Sequence, residues 1–134
     1  MRELVAILVA AMLLSLSPVT SLANTGDGNE VLKQCSALVR TADGGNNGND
    51  DLIGTAYCAG LMTGITSTMT VWNTTREKAG MVRIWCPPAI TSQQAARIVV
   101  KYMNEHPDDL HRTGAYLVMS ALQDAYPCEP ELSK

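Results

Sequence analysis

Apolar positions in the C-terminal half of the chain recur at helical spacing in two adjacent segments. The first segment runs from about Ser92 to Asn104 and has the pattern of an amphipathic helix. Its apolar members are Ala95, Ile98, Val99, Tyr102 and Met103. Thr91 can cap the first turn, and Gln94 can reach back to it as in a capping box. The pattern ends at His106-Pro107 because proline cannot continue the helical hydrogen-bond ladder.

The second segment begins at Pro107, which suits the first turn of a helix, and runs to Ala125. Asp108 and Asp109 follow where the helix dipole favours carboxylates. The apolar face consists of Leu110, Gly114, Leu117, Val118, Ala121, Leu122 and Ala125. A joint this short makes the two helices antiparallel neighbours. Cys86 and Cys128 each lie 21 residues from Pro107, so the sequence predicts a disulfide between them.

The first half of the chain predicts a similar pair of helices. Glu30 to Thr41 has helical periodicity, and an acidic, glycine-rich loop follows at Asp43–Asp51. Leu52 to about Trp72 is the longest helical candidate. Ala56, Gly60 and Gly64 step by four along it and form a stripe of small residues. Glycine costs up to about 1 kcal/mol in a helix interior, so the stripe suggests close approach of a second helix.

Cys35 and Cys58 lie at nearly equal distances from the loop centre at about Asn46. An antiparallel hairpin places them opposite each other, so they are the second predicted pair. Four cysteines allow three pairings, and this choice rests on geometry alone. The predicted fold class is therefore all-α: a small disulfide-bonded domain built from two antiparallel helical hairpins.

The N-terminus has the pattern of an export signal. A basic start precedes an apolar run from Leu4 to Leu16, and Ser21-Leu22-Ala23 is a small-x-small cleavage site. The run is too short to span a bilayer. We expect residues 1–23 to be a cleaved signal peptide and residues 24–134 to be one exported domain with no membrane segment. Four cysteines in that domain agree with an oxidising compartment.

Composition and motifs favour no catalytic chemistry. The net charge is −3 with mixed signs, unlike the basic stripe of a nucleic-acid-binding protein. There is no C-x-x-C pair, and His106 and His111 do not form an H-E-x-x-H zinc motif. A G-x-S-x-G elbow is also missing. The sequence predicts a non-enzyme without a catalytic residue, metal site or cofactor.

A set of ordered motifs resembles the Rap/Tai family of periplasmic immunity proteins for type VI secretion amidase effectors. The motifs are Cys58-Ala59-Gly60-Leu61-Met62-Thr63-Gly64, Cys86-Pro87-Pro88, Gln93 to Tyr102, His106-Pro107 and Leu122 to Cys128. The resemblance covers about Cys35 to Cys128. It implies a small all-α periplasmic protein, often a homodimer, that binds a peptidoglycan amidase and obstructs its active-site cleft, which protects the producing cell.

The contact surface for a partner should come from exposed irregular segments on a rigid helical frame. The two candidates are Asp43–Asp51 and Asn73–Trp85. Interface hot spots are rich in Trp and Arg, which nominates Trp72, Arg76, Arg83 and Trp85. For Trp85, a place over the disulfide end of the core is the other interpretation.

Three other functions are compatible with the sequence. A periplasmic chaperone of the acid-stress kind is also small, helical and disulfide-bonded, and a sequence pI near 5.2 permits it. An orphan envelope protein of the same fold needs no effector. An enzyme is the most distant alternative.

Overall fold

A computed structural model describes residues 26–45 and 48–128, apart from the side chain of Asp50. Within this part of the chain the fold is all-helical. Helix α1 spans Gly28–Ala42, α2 spans Asn49–Lys78, α3 spans Ser92–Glu105 and α4 spans Gly114–Ala125, with a 3₁₀ turn at Pro107–Asp109. The predicted signal peptide lies outside the described residues. None of the described helices has the length and hydrophobicity needed to cross a membrane.

Side-chain caps explain where α1 and α3 begin. The Asp27 carboxylate accepts a hydrogen bond from the amide of Glu30 at 3.0 Å. The Thr91 hydroxyl accepts from the Gln94 amide at 3.2 Å, and the Gln94 side chain accepts from the Thr91 amide at 2.8 Å. This reciprocal pair is the capping box that the sequence predicts. At the other end of α3, His106 is the C-cap residue.

The single helix predicted from Pro107 to Ala125 is wrong in its first half. Pro107 opens only a 3₁₀ turn, and α4 starts at Gly114. The backbone at Arg112 and Gly114 bonds instead to the backbone at the start of α1. The Gly28 amide donates to the carbonyl of Arg112, and the Gly114 amide donates to the carbonyl of Gly26, both at 3.0 Å. This exchange ties the start of α1 to the start of α4.

Helix α2 is longer than predicted, because it continues six residues past Trp72 to Lys78. The sequence places Asn73 in the linker. The structure turns its side chain onto the returning chain, where it bonds to Ile84 and Trp85. The helix ends just before Gly80, whose φ of +70° is a conformation that glycine adopts without strain.

Both predicted disulfides are present in the structure. Cys35–Cys58 joins α1 to α2 with Cα atoms 5.0 Å apart. Cys86–Cys128 joins the segment before α3 to the residue after α4, with Cα atoms 4.9 Å apart. Each bridge lies within one predicted hairpin. Helix α1 also packs against α3, so the two hairpins share one core.

The core is built from aliphatic residues, methionine, one tryptophan and the first disulfide. Its buried members are Val31, Cys35, Leu38, Cys58, Met62, Met69, Trp85, Ala95, Ala96, Val99, Met103, Leu117, Val118, Ala121 and Leu122. The chain has no Phe. Cys35 and Cys58 have no exposed surface, so this bridge acts as packed core volume as well as a covalent link.

The predicted close approach at the small-residue stripe is wrong within the described chain. Gly60 and Gly64 are exposed, and a Cβ atom on either would have no neighbour within 4 Å. Tight contact occurs instead at Gly28. A Cβ atom there would lie 2.4 Å from Leu117 Cδ1 and 2.8 Å from the carbonyl oxygen of Leu110. Helical periodicity shows which residues share a face, but does not show what covers that face.

We expect Gly28→Ala to lower the free energy of unfolding by about 2 kcal/mol, because the new methyl group overlaps backbone that cannot move aside. Urea unfolding followed by circular dichroism measures the change. Gly60→Ala is the matched control, and it should leave stability unchanged or raise it by up to about 1 kcal/mol. Equal stability of Gly28→Ala and the parent would contradict the proposed close approach.

Candidate partner-binding surface

The loop between α2 and α3 presents consecutive side chains to solvent at its tip. Val82 is 73% exposed and Met81 is 49% exposed. Arg83 is exposed as well, whereas Ile84 is half-buried. We call residues 79–85 the 79–85 loop. Two apolar side chains beside a guanidinium make a compact surface of the kind that protein partners contact.

The last turns of α2 hold this loop in one conformation. Asn73 is 92% buried; its side-chain amide nitrogen donates to the carbonyl of Trp85, and its oxygen accepts from the Ile84 amide at 3.1 Å. Arg76 Nε donates to the carbonyl of Val82 at 2.8 Å, and the Met81 amide donates to the carbonyl of Arg76 at 2.8 Å. These bonds order the backbone of the tip before any partner arrives.

The disulfide fixes the far end of the loop. The Cys86 amide donates to the carbonyl of Tyr126 at 3.0 Å, next to the Cys86–Cys128 bridge. The 79–85 loop is therefore continuous with α2 at one end and covalently attached to the end of α4 at the other. Both ends are therefore attached to helices that contribute residues to the core.

The four residues nominated from sequence have different environments. Trp72 is 55% exposed on α2, and Arg83 is exposed at the loop tip. Arg76 is half-buried and supports the loop backbone. Trp85 is only 3% exposed and belongs to the core, so its nomination as a partner contact is corrected. The core interpretation of Trp85 fits the structure.

Trp72 borders an open apolar groove on the side of α2. The groove has a volume of about 350 Å³ and is lined by Gly64, Ile65, Thr68, Met69, Trp72, Ile84 and Met119. Ile84 connects the groove to the 79–85 loop. The exposed ring and the loop tip thus belong to neighbouring parts of one surface.

In the other candidate segment, Asp43–Asp51, the carboxylates of the first and last residues each pair with an arginine. Asp43 accepts two hydrogen bonds from the Arg97 guanidinium, and Asp51 pairs with Arg40 at 2.6 Å. The hydrogen bond from Arg97 lowers the pKa of Asp43. This pair supports the fold above the ordinary carboxyl pKa and is lost as the pH falls through the lowered value. Residues 46–47 of the segment lie outside the described chain.

Sequence reasoning missed the role of Asn73 in holding the backbone of the candidate surface. Asn73 also begins an Asn-x-Thr pattern, the acceptor sequence for N-glycosylation, but its side chain is buried and bonded within the protein. One available signal for this role was a polar Asn in a run of residues compatible with a helix, three residues before the charged segment that starts at Arg76. The Ile84 amide and the Trp85 carbonyl to which it bonds are 11 and 12 residues away, beyond the reach of a periodicity argument.

We expect Asn73→Ala to lower the free energy of unfolding by about 2 kcal/mol, because it leaves the Ile84 amide and the Trp85 carbonyl without their partner. Amide hydrogen exchange at Ile84 should accelerate in the same variant. Asn104→Ala is the control: it removes an exposed bond to the carbonyl of Val100 and should change stability by less than about 0.5 kcal/mol. Unchanged exchange at Ile84 would show that Asn73 does not hold the loop.

Comparison with known proteins places this architecture in a family. The family model for Rap1a immunity proteins matches residues 27–128, which includes all four described helices and both disulfides. No curated protein and no solved structure gave a significant match. The family match agrees with the resemblance seen in the cysteine, glycine and proline motifs. The chain belongs to the Rap1a immunity protein family.

Proposed function

We propose that this protein is exported to the periplasm and binds a peptidoglycan amidase delivered by type VI secretion, which protects the cell from that enzyme. Family membership carries the proposal, since an immunity protein acts by binding a partner effector. Two disulfides in a small helical domain suit an oxidising compartment. The signal-peptide pattern of residues 1–23 supports the same location.

The 79–85 loop is the surface that we propose enters or covers the amidase cleft. Its backbone is held by Asn73, Arg76 and the Cys86–Cys128 bridge. A loop already ordered in the free protein loses little conformational entropy on binding. Val82 and Arg83 at the tip supply an apolar anchor and a cation that can form bidentate hydrogen bonds to a carboxylate.

Inhibition of this kind is stoichiometric and needs no catalytic group on the inhibitor. Among the described residues, no cluster of three or more His, Cys, Asp or Glu side chains could hold a metal ion. His106 Nδ1 lies 2.8 Å from the carbonyl of Tyr102, and His111 Nδ1 lies 2.8 Å from the carbonyl of Asp108. Both imidazoles therefore contact local backbone. Family membership also favours immunity over the chaperone and orphan alternatives.

The direct test uses the purified mature protein and the product of the adjacent reading frame, which the proposal predicts to be a peptidoglycan amidase. We expect a 1:1 ratio of inhibitor subunits to enzyme to abolish release of peptidoglycan fragments. Isothermal titration calorimetry should give a dissociation constant in the nanomolar range, as is typical of tight enzyme–inhibitor pairs. Full amidase activity at a tenfold excess of the protein would overturn the proposed function.

Variants of the loop tip test the surface separately from the function. We expect Arg83→Ala and Val82→Asp each to weaken amidase binding by about 10-fold or more, because they remove a central contact without touching the core. Their unfolding midpoints should match the parent. Lys101→Ala on α3, whose side chain is 76% exposed, is the control and should bind normally. Parent affinity in both tip variants would place the interface elsewhere.

A further inference from the structure

The two disulfides of this protein differ in how far solvent reaches them. Cys35 and Cys58 each have 0% exposed surface, and we call their link the buried bridge. Cys86 and Cys128 are both partly exposed, and we call their link the accessible bridge. Thiol–disulfide exchange begins when a thiolate reaches one sulfur atom of a bridge, so its rate depends on access. The accessible bridge is therefore the one that a thiol reaches with less disturbance of the fold.

The accessible bridge also joins two irregular segments. Cys35 and Cys58 lie inside α1 and α2, where the helical hydrogen-bond ladder holds their backbone. Cys86 instead precedes α3, and Cys128 follows α4. A proline next to each of these two cysteines has no amide to donate. Segments without a helical ladder open at a lower free energy than core helices do, so local motion exposes the accessible bridge further.

Opening the accessible bridge changes how the 79–85 loop is supported. At the α2 end, the hydrogen bonds from Asn73 and Arg76 to the loop backbone need no disulfide. At the other end, Cys86 directly follows the loop and is linked covalently to Cys128 beyond α4. The Cys86 amide also donates to the carbonyl of Tyr126 at 3.0 Å. Once the bridge is open, this end of the loop separates from α4 without breaking a covalent bond.

The helical core keeps its own support when the accessible bridge opens. The buried bridge still joins α1 to α2, and α1 still packs against α3. Trp85, the last residue of the loop, is 3% exposed and belongs to the core. The change is therefore confined to the segments that the accessible bridge joins, and the four helices stay folded.

We propose that the Cys86–Cys128 bridge is a site of thiol–disulfide exchange with a dithiol, and that its reduction loosens the 79–85 loop. One thiolate of the dithiol attacks a sulfur atom of the bridge, which breaks the S–S bond and releases the other cysteine as a thiolate. The second thiol of the dithiol then attacks the mixed disulfide and frees the remaining cysteine. Two electrons and two protons pass to Cys86 and Cys128, and the dithiol becomes a disulfide.

The consequence for the partner rests on the proposed function. If the 79–85 loop contacts the amidase, the loosened loop must be ordered on binding, which costs conformational entropy. The oxidised protein is then the tight-binding form, and reduction weakens the complex. The exchange and the loosening of the loop are properties of this chain alone, so both can be measured without the amidase.

Stepwise reduction of the purified protein tests the site itself. With limiting dithiothreitol, followed by alkylation and peptide mapping, we expect Cys86 and Cys128 to be labelled at least about 10-fold faster than the cysteines of the buried bridge. Far-UV circular dichroism should keep its helical signal at this stage. Backbone order parameters from nitrogen-15 relaxation should fall below about 0.6 at Ile84 and Cys86, whereas Met62 in α2 is the internal control and should stay near about 0.85.

Binding measurements then connect the exchange to the partner. We expect the reduced protein to bind the amidase at least about 10-fold more weakly than the oxidised protein, and reoxidation should restore the affinity. The double variant Cys86→Ala/Cys128→Ala should bind with the weaker affinity whether dithiothreitol is present or not, because it has no accessible bridge to reduce.

Three results would overturn the exchange site: equal labelling rates for the two bridges, loss of the helical signal as the accessible bridge is reduced, or unchanged order parameters at Ile84 and Cys86. Selective labelling with a loosened loop and unchanged amidase affinity would overturn the effect on binding and place the effector surface away from the 79–85 loop. If the oxidised protein binds no amidase, the proposed function fails, and the labelling and relaxation measurements still decide the exchange site.

Discussion

The disulfide between Cys86 and Cys128 is the constraint on which the exposed surface depends. It joins residues 42 apart in the sequence and encloses the whole of α3 and α4. A cross-link over a loop of this size removes conformational freedom from the unfolded chain, with a stabilisation of about 3–4 kcal/mol in the chain-entropy model. In the folded protein it also fixes the residue that follows the 79–85 loop. The same covalent bond therefore contributes to stability and to the order of the proposed binding surface.

The composition explains why covalent links are needed here. The core contains no Phe, and apart from Trp85 its larger buried members are methionine and leucine. Methionine fills irregular space but is flexible, so it specifies a packing less well than branched or aromatic residues do. The bridge from Cys35 to Cys58 passes through this core with no exposed surface. A domain of about 100 residues with few aromatic groups gains order from such bridges that its packing alone would not supply.

The elements that sequence reasoning predicted correctly are those set by local chemistry. The Thr91–Gln94 capping box and the start of α3 follow from residues three apart. The cysteine pairs follow from equal distances to a turn, because an antiparallel hairpin brings such positions level. The misplaced elements depend on distant partners. Helix α4 begins late because Gly28 and Gly114 bond across to residues far away in sequence. Helix α2 extends past Trp72, and Asn73 in this extension bonds to Ile84 and Trp85 of the following loop.

The candidate surface was predicted only in outline for the same reason. Arg83 and the segment after α2 were nominated from residue type and expected exposure, but Trp85 has the same residue type and lies in the core. The hydrophobicity of a short stretch of sequence does not show whether a tryptophan side chain in it is buried or exposed. The decisive information is the path of the chain after Gly80, which folds back onto α2 through the bonds from Arg76 to Val82 and from Asn73 to Trp85. On this path Trp85 is buried, whereas Val82 stays in solvent.

Helix α2 packs in the core with one part of its length and supports the 79–85 loop with another. Its first half packs on α1 through the buried bridge at Cys58, and its last turns hold the 79–85 loop through Asn73 and Arg76. Between them, the outer side of the helix is exposed to solvent, yet it contains no charged residue. An uncharged face with exposed Val71 and Trp72 lowers solubility if it stays uncovered. The glycines at positions 60 and 64 make the isolated helix less stable than alanine would, although a Cβ atom at either position would meet nothing within 4 Å.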